Sequence, residues 1–340
     1  MSAPAARAAS MPAPAGVAGP ACMRWSPGRV QSWRRAEDGG FDPGRYGVAP
    51  IGYSDARRFC LDVHYSGSYP ADRQRYGLFD LSGGDRLVGV AVLSVPTRPE
   101  VLTGVFPRLV PYEESLDLGR FCLLDQPCPA NSESWFLGQV FRLAAATGIR
   151  GLTSFSDPMP RYDTNGNLYK PGHIGLIYQC TNARYTGRGT PRTLVMLRNG
   201  EVLSARALQK VRGQERGHEY VERLLIAHGA RAPRAGENPA AWLRQALPDA
   251  RVLRVRHGGN HRYAFTLGCN RRERAAVEVA IPGRAYPKTP DHGPQMELDL
   301  LDACDQEPQQ PVPQAGAHCQ QAMTPPTPRR RPTTEEGNTK

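Results

Sequence analysis

The sequence predicts an α/β protein with a mixed, mostly antiparallel sheet flanked by helices. The main observation is the stretch of residues 118–158, which has the pattern strand, polar loop, helix and second strand. Apolar residues recur at helical spacing in its middle, between Trp135 and Thr147. A unit of this length implies two neighbouring strands joined by a crossover helix.

Turn signals predict three hairpins elsewhere in the chain. Residues 75–80 and 87–94 flank a Ser-Gly-Gly-Asp turn, and Asn199 with Gly200 joins two further short strands. A third hairpin is expected around Gly258 and Gly259. Residues 87–94 are apolar without alternation, which predicts a central strand covered on both faces.

Four more helices are predicted, at residues 54–65, 204–212, 220–228 and 239–246. Ser54 and Ser204 are candidate N-caps of the first two, because a serine hydroxyl can accept a bond from a free N–H of the first turn. A single domain is therefore expected over residues 24–290, with disordered segments at 1–23 and 291–340 that are rich in Ala, Pro, Ser, Gln and Thr. Residues 24–45 are basic and are expected to pack as an arm or to touch a phosphate backbone.

Composition points to an anionic partner, with nucleic acid first. The 340 residues carry a formal net charge of +11 and a pI near 9.5, although solubility alone is the weaker interpretation. Without an apolar run of membrane length or a signal peptide, we expect a cytoplasmic protein of a bacterial host cell. The eight cysteines lack CxxC spacing, so neither a zinc ribbon nor a thioredoxin-type site is supported. Cys60, Cys122 and Cys180 are expected to be buried thiols.

The crossover unit also predicts the site, because ligands of such units lie beyond the carboxyl ends of the strands, at the helix N-terminus. Asn131, Ser132 and Ser134 lie at that N-terminus, and Asp157 ends the second strand. The alternative is that these residues only cap the helix or begin a turn. The polar, Tyr- and Asn-rich stretch of residues 161–189 is too long to be a simple connection, so we expect it to be functional.

The order of elements resembles the N-acetyltransferase (GNAT) fold, and several segments resemble a narrower group, the Mom family of phage DNA-modification proteins. The resemblance spans about residues 65–262. The matching segments are Leu118-Gly119-Arg120-Phe121, Asn131-x-Glu133-Ser134-Trp135-Phe136, Ser154-Phe155-Ser156-Asp157-Pro158, Pro171-Gly172-His173-x-Gly175-x-Ile177-Tyr178-Gln179, Asn182-Ala183-x-Tyr185-Thr186-Gly187-Arg188 and Ala207-Leu208-x-Lys210-x-Arg212.

The resemblance implies an enzyme that adds a carbamoylmethyl group to N6 of adenine in phage DNA, which protects the DNA from host restriction. It also implies a bound iron, held near residues that correspond to His64, Tyr65 and Asp157. One imidazole, one phenol and one carboxylate are chemically acceptable ligands for iron. The resemblance and the sequence leave the identity of the donor molecule open. The loop at residues 126–134 lacks the glycines that cradle coenzyme A in ordinary acetyltransferases, and its prolines remove N–H donors.

Each candidate catalytic residue has a chemical reason and a structural alternative. Asp157 could accept a proton from the adenine amine or hold a metal, and His64 could serve as a general base or a metal ligand. Tyr65 could bind metal or stack on a base, or simply pack. Ser134 and Asn131 could bind an anionic part of the donor, or only cap the helix. Arg120, inside an apolar strand, is expected to pair with Asp117, Asp125 or Asp157, with substrate binding second.

Modification of N6 requires the adenine to leave the base stack, so an aromatic pocket with a basic rim is expected on double-stranded DNA. The candidate pocket residues are Tyr169, His173, Tyr178 and Tyr185. The candidate phosphate contacts are Arg188, Arg192, Lys210, Arg212, Arg216 and Arg262. Ordinary packing or solvated surface charge is the alternative for each of them.

Two other functions stay open on the sequence. A conventional GNAT N-acyltransferase acting on a small amine or protein would bind coenzyme A tightly and would not need DNA. A non-catalytic DNA-binding protein would show salt-dependent binding and no change in base mass. The sequence leaves a homodimer open.

Overall fold

The computed structural model describes residues 21–25, 31–35 and 40–289. Residues 1–20 and 291–340 of the predicted disordered ends lie outside the described residues. The first described elements are two short strands, β1 (Ala21–Trp25) and β2 (Gln31–Arg35), which pair antiparallel. The expected domain boundary at residue 24 therefore falls within β1.

The centre of the fold is a seven-stranded sheet with the order β10-β14-β7-β6-β5-β4-β3. Its strands are β3 (Tyr46–Pro50), β4 (Asp72–Asp80), β5 (Arg86–Ser94), β6 (Ser115–Leu123), β7 (Gly151–Ser156), β10 (Arg184–Arg188) and β14 (His261–Thr266). Every neighbouring pair is antiparallel except β6 and β7, which are parallel. The predicted class, a mixed and mostly antiparallel sheet flanked by helices, is confirmed.

The other strands form two small sheets. Their members are β8 (Arg161–Tyr162) with β9 (Leu168–Lys170), and β11 (Arg192–Met196) between β12 (Val202–Leu203) and β13 (Leu253–His257). The helices are α1 (Tyr53–Val63), α2 (Glu100–Thr103), α3 (Ser132–Ala146), α4 (Leu176–Cys180), α5 (Ala205–Gly213), α6 (Glu219–Ala227), α7 (Pro239–Asp249) and α8 (Arg271–Ala276).

The two faces of the central sheet are buried by different helices. Alternate residues of β5 point to opposite faces, so Val90 and Val92 pack with α1 while Ala91 and Leu93 pack with α3. All four side chains are fully buried. Burying each valine contributes roughly 1.5–3 kcal/mol, which fixes both helices on the sheet. This double coverage confirms the prediction that β5 is a central strand.

A second core lies outside the central sheet. Helices α5, α6 and α7 pack around Trp242 and Leu225 together with Leu197 and Leu203 from the β11–β12 hairpin. The Trp242 indole donates a hydrogen bond to the Arg231 carbonyl at 3.0 Å, so its buried polar atom is satisfied. As predicted, Ser204 caps α5, and its hydroxyl accepts from the Ala207 N–H at 3.1 Å.

The parallel pair is short, and this shapes the site. β6 and β7 pair only from Ser115 and Gly151 to Asp117 and Thr153. Beyond that point β6 continues to pair with β5, and β7 continues with β14. Backbone pairing between the two central strands therefore ends in the middle of the sheet, and their later residues border a gap in the ladder.

The predicted third hairpin is wrong. β13 pairs with β11 in the small sheet, whereas β14 pairs with β7 and β10 in the central sheet. Gly259 takes φ +93° between them, and a Cβ there would lie 2.1 Å from the Gly189 carbonyl oxygen. The glycines thus redirect the chain from one sheet to the other, because a close approach of two backbones leaves no room for a side chain.

Three smaller expectations also need correction. Cys180 is exposed, unlike Cys60, because it ends the short helix α4 on the surface. The N-cap of α1 is Gly52 and not Ser54, and the helix begins at Tyr53. Asn131 occupies the N-cap position of α3 but takes φ +70°, and its side chain makes no capping hydrogen bond.

Candidate active site

His64 and Tyr65 follow α1, where the helix ends at Val63 and the chain turns. The Ser66 backbone N–H donates to His64 Nδ1 at 3.1 Å, so the neutral ring carries its proton on Nε2. Burial, with the positive charges of Arg120, His173 and Lys170, lowers the pKa of His64 to about 3. His64 is therefore a neutral imidazole at physiological pH.

Tyr65 is the centre of a polar group that we call the Tyr65 cluster, made of His64, Tyr65, Lys170 and His173. The Tyr65 hydroxyl shares a hydrogen bond of 2.9 Å with His173 Nε2. Its ring stacks on His64 with centroids 4.4 Å apart, and the Lys170 ammonium lies 5.9 Å from the ring centroid on the Tyr65 face. The cluster joins the end of α1 to the last residue of β9 and to the loop between β9 and α4.

Burial sets the protonation of the cluster. It lowers the pKa of His173 to about 4, with Lys170 adding to the effect and Asp157 opposing it. It also lowers the pKa of Lys170, against the stabilising charge of Asp157, and raises the pKa of Tyr65 well above its usual value. At neutral pH the cluster thus offers two neutral imidazoles and a protonated phenol.

Asp157 is buried beside the cluster, and we call Asp157 with its side-chain partners Arg161, Lys170 and His257 the Asp157 anchor. Its Oδ1 accepts from the Met159 N–H at 3.1 Å and from His257 Nε2 at 2.9 Å. Its Oδ2 accepts from Lys170 Nζ at 3.2 Å and from the Arg161 guanidinium. Burial raises the pKa of Asp157, but the His257 bond and the charges of Lys170 and Arg161 outweigh it and hold the pKa well below the usual range.

These contacts change the role expected of Asp157. A carboxylate has about four lone-pair sites, and four donors occupy them here. A carboxylate with a depressed pKa is also a weak base. The arrangement makes Asp157 a positioning residue that holds Lys170 and His257, and it does not favour the predicted role as proton acceptor.

Sequence reasoning missed His257 and Arg161. His257 is fully buried, and its Nδ1 accepts from the Gly259 N–H at 3.0 Å, so Nε2 carries the proton that faces Asp157. Arg161 is also buried. One signal could have found such partners: a carboxylate at the end of a buried strand needs a compensating cation, and the polar stretch after it offers Arg161 and Lys170.

The iron site that the resemblance implies does not fit this arrangement. Asp157 could bind a metal only after its cationic partners had left, and His64 Nε2 could do so only if its proton moved to Nδ1, which faces an N–H donor. Within the described ranges, no group of three or more His, Cys, Asp or Glu side chains could hold a metal ion.

Arg120 has different partners from those predicted. Its guanidinium donates to the Ser68 carbonyl at 2.8 Å, to the Ser68 hydroxyl at 2.8 Å and to the Gly119 carbonyl at 2.6 Å. The expected pair with Asp117, Asp125 or Asp157 is wrong, because the guanidinium is held by Ser68 in the loop after Tyr65. Its positive charge lowers the pKa of His64 and so lies close to the Tyr65 cluster.

The N-terminus of α3 is engaged locally. The Ser132 hydroxyl donates to the Pro129 carbonyl at 2.7 Å, and the Ser134 hydroxyl donates to the Asn131 carbonyl at 3.1 Å. Arg24, from the basic N-terminal arm, is buried against Glu133 and the carbonyls of the preceding loop. No described contact joins Asn131, Ser132 or Ser134 to the Tyr65 cluster, so the donor-binding role stays a prediction.

The four predicted base-contacting aromatics separate into different environments. His173 lies in the Tyr65 cluster, whereas Tyr178 and Tyr185 are each 8% exposed and pack in the main core. The Tyr185 hydroxyl shares a bond of 2.8 Å with His261 Nδ1, which satisfies it in the interior. Tyr169 is half-buried beside Gly200. Because both rings are buried in the core, Tyr178 and Tyr185 offer no free stacking surface in this arrangement.

The six basic residues predicted to contact phosphates also lie in different parts of the structure. Arg188 and Arg192 are exposed; the Arg188 guanidinium lies beside Gly258, which follows His257, and Arg192 donates to the Asn260 side chain at 3.2 Å. Both therefore border the Asp157 anchor. The other four are Lys210 and Arg212 on α5, Arg216 just after it, and Arg262 on β14. The phosphate-binding role of all six stays a prediction.

In the part of the chain that the structure describes, the fold and the site define an α/β protein with one short parallel strand pair and a His-Tyr-Lys cluster beyond its carboxyl ends. The model of the Mom protein family matches residues 45–288, which include the whole cluster. The chain therefore belongs to the Mom protein family. No curated protein matches the chain. Among the described residues, none of the helices has the length and apolar character needed to span a membrane.

Three solved structures show similarity to the chain, each at 12% identity. A putative phosphinothricin N-acetyltransferase has a TM-score of 0.26, with 44% of this chain and 86% of that chain covered. A tandem GNAT protein from the clavulanic acid biosynthesis pathway has a TM-score of 0.28, with 69% of this chain and 72% of that chain covered. A malonyl-CoA decarboxylase from Rhodopseudomonas palustris has a TM-score of 0.28, with 68% of this chain and 62% of that chain covered.

Proposed function

We propose that this protein is a transferase that adds a carbamoylmethyl group to N6 of adenine in phage DNA and so protects the DNA from host restriction. The observation that carries the proposal is the family match over residues 45–288. That range contains the residues that the resemblance assigns to the active site, His64, Tyr65 and Asp157. The first two lie in the Tyr65 cluster, and Asp157 anchors the cluster through Lys170.

The chemistry of the cluster supports a transfer reaction. Neutral His64 and His173 can accept or donate hydrogen bonds without carrying charge. The Tyr65 hydroxyl is hydrogen-bonded to His173, and the Lys170 ammonium lies over the Tyr65 ring. Asp157 fixes Lys170, so the geometry does not depend on a mobile side chain. In the proposal Tyr65 and His173 contact the reacting groups, while Asp157 and His257 act through them as positioning residues.

Charge supports DNA as the partner. The net charge of +11 favours a polyanion, and Arg188 and Arg192 place exposed guanidinium groups near the anchor residues. Double-stranded DNA would bind here through its phosphates, and the target adenine would have to leave the stack to reach the cluster.

A conventional N-acyltransferase is the main alternative, and the loop before α3 disfavours it. Backbone N–H groups cradle a pyrophosphate in ordinary acetyltransferases. In this chain the loop carbonyls of Cys128 and Pro129 accept from Arg24 at 2.6 and 3.0 Å, and Pro127 and Pro129 offer no N–H. Coenzyme A would therefore lack the usual cradle.

Mass spectrometry of nucleosides tests the proposal. Plasmid DNA is taken from bacterial cells that express this chain and from cells with an empty vector. We expect a deoxyadenosine species heavier by a carbamoylmethyl group only in the first sample. Unmodified adenine in the presence of folded protein would contradict the proposal. Calorimetry with coenzyme A then separates the acyltransferase alternative from a non-catalytic DNA-binding protein.

A further inference from the structure

Asp117 is a carboxylate at the place where the two parallel strands separate. It occupies the last paired position of β6, opposite Thr153 of β7. Thr153 Oγ1 donates to Asp117 Oδ1 at 3.0 Å, and Ser94 Oγ lies 3.4 Å from Oδ2. Asp117 is half-buried and, in the described part of the chain, has no ion-pair partner.

Asp117 and Asp157 differ in their free acceptor capacity. The two hydroxyl donors leave about two of the lone-pair sites of Asp117 open, whereas four donors occupy those of Asp157. Burial raises the pKa of Asp117 to about 6, against the bonds from Thr153 and Ser94 and the charge of Arg120. Asp117 is thus ionised at neutral pH and can still accept a proton.

Phe155 lies on the same face of the sheet. The bond between Thr153 and Asp117 shows that these two side chains share a face, and Phe155 follows Thr153 by two residues on β7. It lies about 6.6 Å further along the strand, in the direction of the gap. Phe155 is half-buried and lies outside the five hydrophobic clusters of the described residues, so its ring is not committed to core packing.

Positive charge borders Phe155. Arg262 of β14 is directly opposite Phe155 in the antiparallel register, so it projects from the same face. Its Nε donates to Thr186 Oγ1 at 2.9 Å, and burial together with the nearby charge of Arg284 lowers its pKa. The positive charges of Arg262 and Arg284 repel each other, so a bound phosphate would stabilise both guanidinium groups.

We propose that Asp117 and Phe155 form the adenine subsite, in which Phe155 stacks on the extruded base and Asp117 accepts a hydrogen bond from its N6 amino group. This inference rests on the proposed function and names the residues that read the base. Arg262 would hold a neighbouring phosphate. The aromatic ring, the carboxylate and the cation match the π-face, the amino group and the backbone of a nucleotide.

Asp117 also has a defined part in the transfer. The N6 lone pair attacks the methylene carbon of a carbamoylmethyl donor, which is an electrophile with a leaving group on that carbon. The N–C bond forms, the bond from carbon to the leaving group breaks, and its electron pair departs with the leaving group. The proton from N6 passes to the Asp117 carboxylate, which is a general base at this step.

Binding of two short oligonucleotides tests the subsite without turnover. Both are single-stranded thymidine oligomers with one central purine nucleotide, which is adenine in one and unsubstituted purine, without the N6 amino group, in the other. We expect the native protein to prefer the adenine oligomer by about tenfold, since a bond to a charged acceptor distinguishes them. Asp117→Asn should lose this preference and keep its affinity for the purine oligomer.

Phe155→Leu should weaken binding of both oligomers by about tenfold and keep the preference, because stacking does not read the amino group. Asp62→Asn and Phe59→Leu, both on α1, are the matched controls and should change neither value. Equal binding of both oligomers by the native protein, or an undiminished preference in Asp117→Asn, would overturn the subsite. The native protein supplies the first readout, so the test does not depend on the folding of a variant.

The nucleoside analysis on the same protein separates the two proposals. An adenine preference that depends on Asp117, together with unmodified plasmid DNA, would contradict the proposed reaction and support the subsite. Modified adenine with no preference between the oligomers would support the reaction and overturn the subsite.

Discussion

His257 donates from Nε2 to Asp157 Oδ1 over 2.9 Å, across 100 residues of sequence. This bond joins β13 of the small sheet to the end of β7 in the central sheet. The His257 Nδ1 accepts from the Gly259 N–H, so the ring orientation is fixed on both sides. The Asp157 anchor thereby connects the small sheet to the Tyr65 cluster through Lys170.

Asp157→Ala should lower the free energy of unfolding by about 3–5 kcal/mol, because it leaves a buried cationic group and a buried imidazole without their acceptor. Urea denaturation followed by circular dichroism measures the change. Asp62→Asn, on the exposed side of α1, should stay within about 0.5 kcal/mol of the native protein. A similarly small change in Asp157→Ala would show that the anchor does not stabilise the fold.

Acid should destabilise the protein between pH 6.5 and about 4, because the unfolded chain protonates His64 and His173 at their ordinary pKa of 6.5 while burial holds their folded pKa values at about 3 and about 4. Asp117 acts in the opposite direction, since its folded pKa of about 6 lies above the ordinary 3.8 and its contribution is lost as the pH rises through 6. His64 and His173 destabilise the fold on acidification, and Asp117 alone opposes them. The net stability should therefore decrease as the pH is lowered through this window.

The test is urea denaturation at pH 7 and pH 5 of the native protein, His173→Gln and Asp117→Asn. His173→Gln should lose less stability on acidification than the native protein, and Asp117→Asn should lose more. A native protein that is equally stable at both pH values would contradict the assignment of buried neutral imidazoles.

Gly259→Ala should destabilise the protein by more than about 1 kcal/mol. The residue has φ +93°, and a Cβ would lie 2.1 Å from the Gly189 carbonyl oxygen, so backbone on both sides would have to move. Gly83→Ala, in the β4–β5 turn with nothing within 4 Å of the new atom, is the matched control. Thermal unfolding of both variants gives the comparison, and equal midpoints would show that the passage between the two sheets is not constrained by this glycine.

Arg192→Gln should make DNA binding less dependent on salt, with a slope of log affinity against log salt that is shallower by about 0.9. The reason is the loss of one exposed guanidinium group beside the anchor residues. Fluorescence anisotropy with duplex DNA at several salt concentrations measures the slope. Arg58→Gln, exposed on α1 and paired with Asp55 at 3.5 Å, is the control that should keep the native slope. An unchanged slope in Arg192→Gln would remove this residue from the interface.

Local patterns predicted the elements well where local physics decides them. The β6–α3–β7 unit and the Ser204 cap depend on residues a few positions apart, and both are present. The hairpin at Gly258 and Gly259 was wrong because two adjacent glycines suit a tight turn and a change of sheet equally well. The His257 contact with Asp157 decides between them, and it lies far away in sequence.

The site was harder to predict for a similar reason. Tyr178 and Tyr185 suit either a stacking surface or a core, and only the packing of β14 against them shows that they are buried. Asp117 stands between two leucines, where the pattern indicates an ordinary strand residue. Its significance comes from Thr153 on the neighbouring strand and from the end of the parallel pairing, neither of which is visible from residues adjacent to it.

If the Tyr65 cluster modifies adenine, as we propose, the fraction of modified deoxyadenosine in plasmid DNA should depend on the Tyr65 hydroxyl. The native chain is compared with Tyr65→Phe, which removes the 2.9 Å hydrogen bond to His173 and keeps the ring, and with the exposed control Tyr53→Phe. We expect a carbamoylmethyl species with the native chain and the control, and at least a tenfold smaller amount with Tyr65→Phe. Native levels of modification in Tyr65→Phe, or no new nucleoside with the native chain, would contradict the account.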